Sequence, residues 1–262
     1  MTDNKDFDYS ALDHPGVLAH IFHPRSAGMA GPVKPNELMI PVADDVHIGA
    51  CFHVESRTAP TIVFFHGNGE IVSDYDDLGP VYNQMGINFF VVDYRGYGRS
   101  TGTPTVSAMM KDCHVVLDFV EQWLEKNGCT GALTVMGRSL GSAPAIELAS
   151  THPSRIDHLI IESGFAHTEK LLKVLGIDPA AVNIDVSSGF ENHAKIRQWA
   201  GPLLVIHGEI DQLISFSQGK DLFDACPSVE KILVKIPGAG HNDIFIRGLD
   251  LYMEAVKTLV MP

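Results

Sequence analysis

No apolar run in this 262-residue chain approaches the length needed to span a bilayer. Basic residues are few: 19 lysines and arginines face 32 aspartates and glutamates, a formal charge of −13. That balance disfavours nucleic acid or an anionic membrane surface as a partner and would tend to repel polyanionic substrates. Cysteine is sparse. Cys51, Cys113, Cys129 and Cys226 are scattered without a C-x-x-C pair, and they read as reduced core thiols of a cytoplasmic protein, not as a disulfide framework. The start, Met-Thr-Asp-Asn-Lys-Asp-Phe-Asp, has neither a basic n-region nor an apolar h-region, so no secretory signal is expected. Pro/Gly/Ser-rich linkers, internal repeats and low-complexity tracts are also missing.

Two common ligand classes fall away for similar reasons. Gly96-x-Gly98 with Gly102 misses the dinucleotide-binding pattern by one position, and no Gly-Lys-Ser/Thr element exists. His20-x-x-His23 has no further ligands at metal-site spacing. Neither a cofactor nor a metal is expected.

What is present is a regular α/β texture. The length and a 45% hydrophobic content suit one large domain with a sizeable core. Residues 1–35 form a polar arm in which Val17, Leu18, Ile21 and Phe22 make a short helical stripe, expected to dock on the body or on a second subunit. Residues 36–262 form the domain. Glu37–Ile40 and Val46–Val54 read as an antiparallel pair turned at Asp44-Asp45. Near-continuous apolar runs follow at Thr61–Phe65, Asn88–Val92, Ala132–Met136, His158–Ile161, Leu203–Ile206 and Lys231–Ile236. Such runs suit strands covered on both faces of a parallel sheet. Amphipathic segments at Val106–Lys126, Leu140–Ser150, Phe216–Ala225 and Ile244–Val260 alternate with them. In the last, Phe245, Leu249, Tyr252, Met253, Val256 and Val260 are expected on one buried face. The expectation is a doubly wound, mostly parallel sheet of about eight strands with an antiparallel start. Residues 163–200 break the rhythm and read as a small lid.

In such sheets ligands sit beyond the carboxyl ends of the strands, and one strand end stands out. Gly137-Arg138-Ser139-Leu140-Gly141 lies between an apolar strand and a helix-like stretch with small residues on both sides, the form of a nucleophile elbow. A serine hydroxyl needs a base, and an imidazole needs an acid to fix its tautomer. Later strand ends offer Asp211 and His241 in the order Ser…Asp…His. His66 and His207 compete as base, but each precedes a glycine in a tight turn and reads as bonded to backbone. Glu209 and Asp93 compete as acid. The oxyanion of an acyl transfer would be met by the backbone N–H of Leu140 and a second donor from His66-Gly67-Asn68-Gly69, for which Asn68 is chosen.

Around these, Gly69, Glu70, Arg138 and Phe165 are candidate substrate contacts. Arg138 reads either as a carboxylate receptor or as the partner of an acid such as Glu162 or Asp93. Glu70 tunes the site or is an exposed helix-start carboxylate. Phe165, Leu171, Leu172, Leu175 and Ile177 form an apolar acyl wall or merely cover the sheet.

Together, His66-Gly67-Asn68-Gly69, the run Asp93 to Ser100, Gly137 to Ser142 and Gly240-His241-Asn242-Asp243 resemble the α/β-hydrolase superfamily from about residue 36 onward. The likeness is to its HGN-type branch of esterases, thioesterases and serine aminopeptidase-like proteins. The resemblance implies Ser139 as nucleophile, Asp211 as acid, His241 as base and oxyanion N–H groups at Asn68 and Leu140. It implies a small-molecule ester or thioester substrate, with peptidase or non-catalytic binding roles as alternatives. The acidic surface adds the expectation of a rate that rises with pH through an apparent pKa at or slightly above that of free histidine, about 6.5.

Overall fold

The structure, a computed structural model, describes residues 7–28, 34–180 and 189–261; the middle of the expected lid, 181–188, lies outside these. Among the described residues eight strands form one sheet in the order β1-β2-β4-β3-β5-β6-β7-β8. They are β1 (Glu37–Ala43), β2 (Val46–His53), β3 (Thr61–Phe65), β4 (Asn88–Val92), β5 (Leu133–Arg138), β6 (His158–Glu162), β7 (Leu203–Gly208) and β8 (Lys231–Ile236). The first two are antiparallel to their neighbours, and the other pairings are parallel.

Every residue of β3 to β7 is buried, as continuous apolar runs require when both faces are covered. The alternation along each strand divides the core in two. Val63, Phe65, Val135 and Leu159 point to the layer made by α1 (Pro15–Ile21), α3 (Val106–Lys126), α4 (Ser142–Thr151) and α7 (Phe216–Ala225). Ile62, Phe64, Met136 and Ile160 point to the opposite layer, with α2 (Leu78–Gln84) and α8 (Ile244–Val260). Within the expected lid lie α5 (Thr168–Val174) and the single turn α6 (Asn192–Lys195).

One helical face departs from expectation. Leu249 is 43% exposed, whereas Tyr252, Met253, Val256 and Val260 are buried. Gly248 interrupts the helical dihedrals (φ −151°, ψ 35°), so the stripe before it is rotated out of register with the stripe after it. A Cβ at Gly248 would stand 2.6 Å from Ile236 Cγ2; the kink lets α8 press against β8.

Candidate active site

Strand β5 runs into the elbow, and Ser139 sits at its apex with φ +52°, a left-handed conformation rare for a residue with a Cβ. Only glycine fits on either side. A Cβ on Gly137 would lie 2.1 Å from the Gly141 carbonyl oxygen, and one on Gly141 would lie 2.0 Å from that of Phe65. Ser142 Oγ donates to the Ser139 carbonyl at 2.7 Å and closes the turn.

Loops from three other strand ends converge on this serine. His241 Nε2 is 2.9 Å from Ser139 Oγ, and its Nδ1 is 2.7 Å from Asp211 Oδ2. A carboxylate can only accept, so Nδ1 carries the ring proton and Nε2 is left bare for the serine hydroxyl. Asp211 itself is clamped: the amides of Leu213 and Ile214 donate to Oδ1 at 2.9 and 2.8 Å. Burial alone would raise its pKa, but hydrogen bonds from His207, His241 and Ile214 outweigh that and hold it below the ordinary carboxylate range. The acid therefore stays ionised at neutral pH. Such a relay can move a proton from hydroxyl to imidazole and stabilise the imidazolium that results.

The competing residues have other partners. His66 is fully buried, with Nδ1 2.7 Å from the Gly67 carbonyl and Nε2 3.2 Å from Asp93. His207, equally buried, donates Nε2–H to the Ile214 carbonyl at 2.6 Å. Asp93 also accepts the Val72 amide at 2.9 Å. Glu209 is turned outward to Lys235 and the Gly238 amide, at 3.0 Å each.

Arg138, the residue before the serine, is committed within the protein. Its Nε donates to Glu162 at 3.0 Å, its Nη1 pairs with Glu70, and its Nη2 donates to the His241 carbonyl and to Asn242 Oδ1, both at 2.9 Å. The partner acid is thus Glu162 joined by Glu70, not Asp93, and four of the five guanidinium N–H groups are taken up inside the protein. Glu70 is correspondingly no exposed helix-start residue, since it also accepts the Gly67 amide at 2.7 Å and the Tyr75 hydroxyl at 2.6 Å. Burial would raise its pKa, but Arg138 and Tyr75 hold it low. Fully buried Glu162 is shifted the other way, burial exceeding the help of Arg138 and Tyr252.

A cavity of about 210 Å³ opens at the serine, lined by Asn68, Arg138, Ser139, Leu140, His241 and Asn242 on its polar side. Ile21, Leu171, Val174, Leu175, Leu213 and Ile214 form its apolar side. The expected acyl wall therefore divides: Leu171 and Leu175 face the cavity, while Leu172 and Ile177 are buried in the core. Phe165 does not line this cavity. It is 1% exposed, packs edge-on against Phe190, and borders an adjoining cavity of about 300 Å³. Gly69, with φ +76°, turns its carbonyl to Arg25 Nε at 3.2 Å instead of facing the serine.

Ile21, Leu213 and Ile214 were missed as lining residues. The stripe at Val17, Ile21 and Phe22 signalled docking, but nothing in its spacing says where. Among the described residues, one cluster has metal-ligand chemistry: Cys51, His53 and Asp76, with donor atoms within 4.8 Å of one another. Lys34 already pairs with Asp76 there, and Asn36 Nδ2 donates to Cys51 Sγ at 3.0 Å. Burial pushes the Cys51 thiol up to about 12. No described helix is long and apolar enough to cross a membrane.

Comparison with known proteins bears on the family and the fold. Residues 56–180 match the family model described as serine aminopeptidase, S33. The Homo sapiens α/β-hydrolase domain-containing protein 17B is 33% identical over 226 residues, covering 80% of this chain and 70% of that one. Among solved structures, Est1E of Butyrivibrio proteoclasticus with ferulic acid bound has a TM-score of 0.69 at 18% identity, over 84% of this chain and 96% of that one. The Pyrococcus furiosus esterase Pf2001 has a TM-score of 0.67 at 19% identity, over 90% and 95%. The solved structures share the fold, the human relative shares the sequence as well, and on that footing the chain belongs to the α/β-hydrolase family.

Proposed function

We propose that the protein is a serine hydrolase that cleaves a small or medium ester or thioester through an acyl-enzyme. The observation that carries this reading is the unbroken relay from Asp211 through His241 to a strained serine at the floor of a largely apolar cavity. In the first half-reaction Ser139 Oγ attacks the carbonyl carbon while His241 Nε2 takes the hydroxyl proton. The negative charge on the carbonyl oxygen is met by the backbone N–H groups of Asn68 and Leu140, both at the cavity wall. The tetrahedral intermediate collapses, the C–O or C–S bond breaks, and His241 returns the proton to the leaving group. Water then repeats the sequence on the acyl-serine, releasing the acid and restoring Ser139.

The family model's name raises a peptidase reading, which the same relay could serve. An aminopeptidase needs an anion for the substrate's free ammonium. None of the described residues lining the cavity carries a carboxylate; Glu70 and Glu162 are paired with Arg138, and Asp211 with His241. That favours the ester. The test is a panel of p-nitrophenyl esters, acyl thioesters and aminoacyl p-nitroanilides of graded length, with fluorophosphonate labelling of Ser139. Preference for the anilides would replace the ester reading, and failure of the folded protein to label would leave a ligand-binding role.

A further inference from the structure

The second proposed oxyanion donor, the Asn68 backbone N–H, stands between two glycines. Asn68 lies between Gly67 and Gly69, residues whose backbone rotates at little steric cost. An oxyanion donor must nevertheless point at a fixed spot before the reaction begins. Gly67 is tied by its own neighbours His66 and Glu70, while the Asn68 side chain is held from outside the loop.

The holding groups are Tyr97, beyond the end of β4, and residues of the N-terminal arm. Upstream of α1, the Tyr9 hydroxyl donates to Glu147 Oε2 at 2.7 Å, and buried Lys195 pairs with the same oxygen at 2.7 Å. Val17, Ile21 and Phe22 then bury themselves in the α3–α4 layer. Downstream, Ser26 bridges to Gly98, with Gly98 N–H donating to the Arg25 carbonyl at 2.8 Å and Ala27 N–H to the Gly98 carbonyl at 3.1 Å. Between these anchors His23 meets Asn68 twice. Its backbone N–H donates to Asn68 Oδ1 at 2.8 Å, and its Nδ1 is 2.7 Å from Asn68 Nδ2. Tyr97, fully buried, donates its hydroxyl to Asn68 Oδ1 at 2.7 Å and accepts the His23 N–H at 2.8 Å.

These contacts leave the amide one orientation. Two donors converge on Oδ1, and flipping the amide would set its NH₂ against the His23 N–H, which can only donate. Because Nδ2 can only donate, His23 Nδ1 stands as the acceptor. Arg25 completes the grip by donating to the Gly69 carbonyl at 3.2 Å.

We propose that His23 and Tyr97 are positioning residues for the oxyanion loop. Through the Asn68 side chain they hold the Asn68 backbone N–H toward the oxyanion. Residues 21–27 are then a working part of the active site, which is why Ile21 also lines the cavity. The inference rests on the acyl-transfer reading given above.

The test compares p-nitrophenyl butyrate kinetics of the full chain with those of His23→Ala, His23→Asn, Tyr97→Phe, Asn68→Ala and the pairwise combinations. His23 is exposed and Tyr97→Phe keeps the ring, so each variant retains its core. His23→Ala and Tyr97→Phe are expected to lower kcat about 10- to 100-fold, as a misplaced donor does, with KM within about twofold. A boronate transition-state analogue should weaken in parallel with kcat. His23→Asn, whose Oδ1 can stand where Nδ1 stood, should recover most of the rate. Neither substitution should cost anything further on top of Asn68→Ala. A rise in KM at constant kcat, additivity with Asn68→Ala, or no gain from His23→Asn over His23→Ala would each overturn the proposal. Ser139→Ala is run alongside. If it is inactive while the His23 and Tyr97 variants match wild type, the positioning role alone fails; if it stays active, the acyl-transfer reading fails.

Discussion

Arg138 Nη2 donates to the carbonyl oxygen of His241 at 2.9 Å, so the residue before the serine also holds the loop that carries the imidazole. The same guanidinium ties in Glu162 at the end of β6, Glu70 in the loop after β3, and Asn242. One buried cation thus joins the strand ends that must agree in register for the relay to form.

Removing that cation strands Glu162 in the core. Arg138→Met is expected to destabilise the fold by about 3–5 kcal/mol, the cost typical of breaking a buried ion pair on one side. Adding Glu162→Gln should return part of the loss, because the orphaned charge goes with it. Urea unfolding followed by circular dichroism measures both. A loss under about 1 kcal/mol for Arg138→Met would show that the cluster is solvated and not a structural hub.

Asp211 and Glu209 stand two residues apart on one loop, and only Asp211 reaches His241. Asp211→Asn presents the wrong hydrogen-bonding group to Nδ1 and should lower kcat by a factor on the order of 10⁴. Glu209→Gln should leave turnover within about twofold of wild type. The reverse ranking in ester hydrolysis would move the acid to Glu209.

The Tyr9–Glu147–Lys195 cluster predicts a pH-dependent contribution to stability. Burial would raise the Glu147 pKa, but bonds from His114, Lys195 and Tyr9 outweigh it and hold the group at about 2. In the unfolded chain a glutamate titrates near about 4.3. The folded state therefore binds fewer protons between those values, and the stabilisation is present above the higher one and lost as pH falls toward the lower. The stability difference between wild type and Glu147→Gln should shrink steadily from about pH 5 to about pH 2. A constant difference would mean that Glu147 is not held ionised.

Leu171 and Leu175 line the apolar side of the cavity. Leu171→Trp should fill that end and cut kcat/KM for hexanoyl and octanoyl esters about tenfold relative to acetyl. Equal effects on all chain lengths would place the acyl group elsewhere.

How much of this was legible from the residues differs by element. The β3 to β7 runs are apolar on consecutive residues because both faces are covered, so the parallel sheet could be read directly. The elbow could be read because backbone oxygens crowd Gly137 and Gly141, a constraint that leaves its mark in residue type. Leu249 could not be placed, because periodicity assumes an unbroken helix and Gly248 breaks it. Phe165 looked like a wall residue because an apolar side chain after a strand serves a pocket or a core equally well. The arm was the largest omission. Its contacts to Asn68 run through a backbone N–H and an imidazole 45 positions away, and no spacing rule connects such partners.

The central claim is that Ser139 carries the acyl group, and pre-steady-state hydrolysis of p-nitrophenyl acetate tests it most directly. The expected result is a burst of about one p-nitrophenolate per chain, with an acetyl adduct of about +42 Da on the peptide containing Ser139. In Ser139→Ala the burst should vanish and kcat should fall on the order of 10⁶-fold. A Ser139→Ala variant that hydrolyses the ester at the wild-type rate would contradict the account.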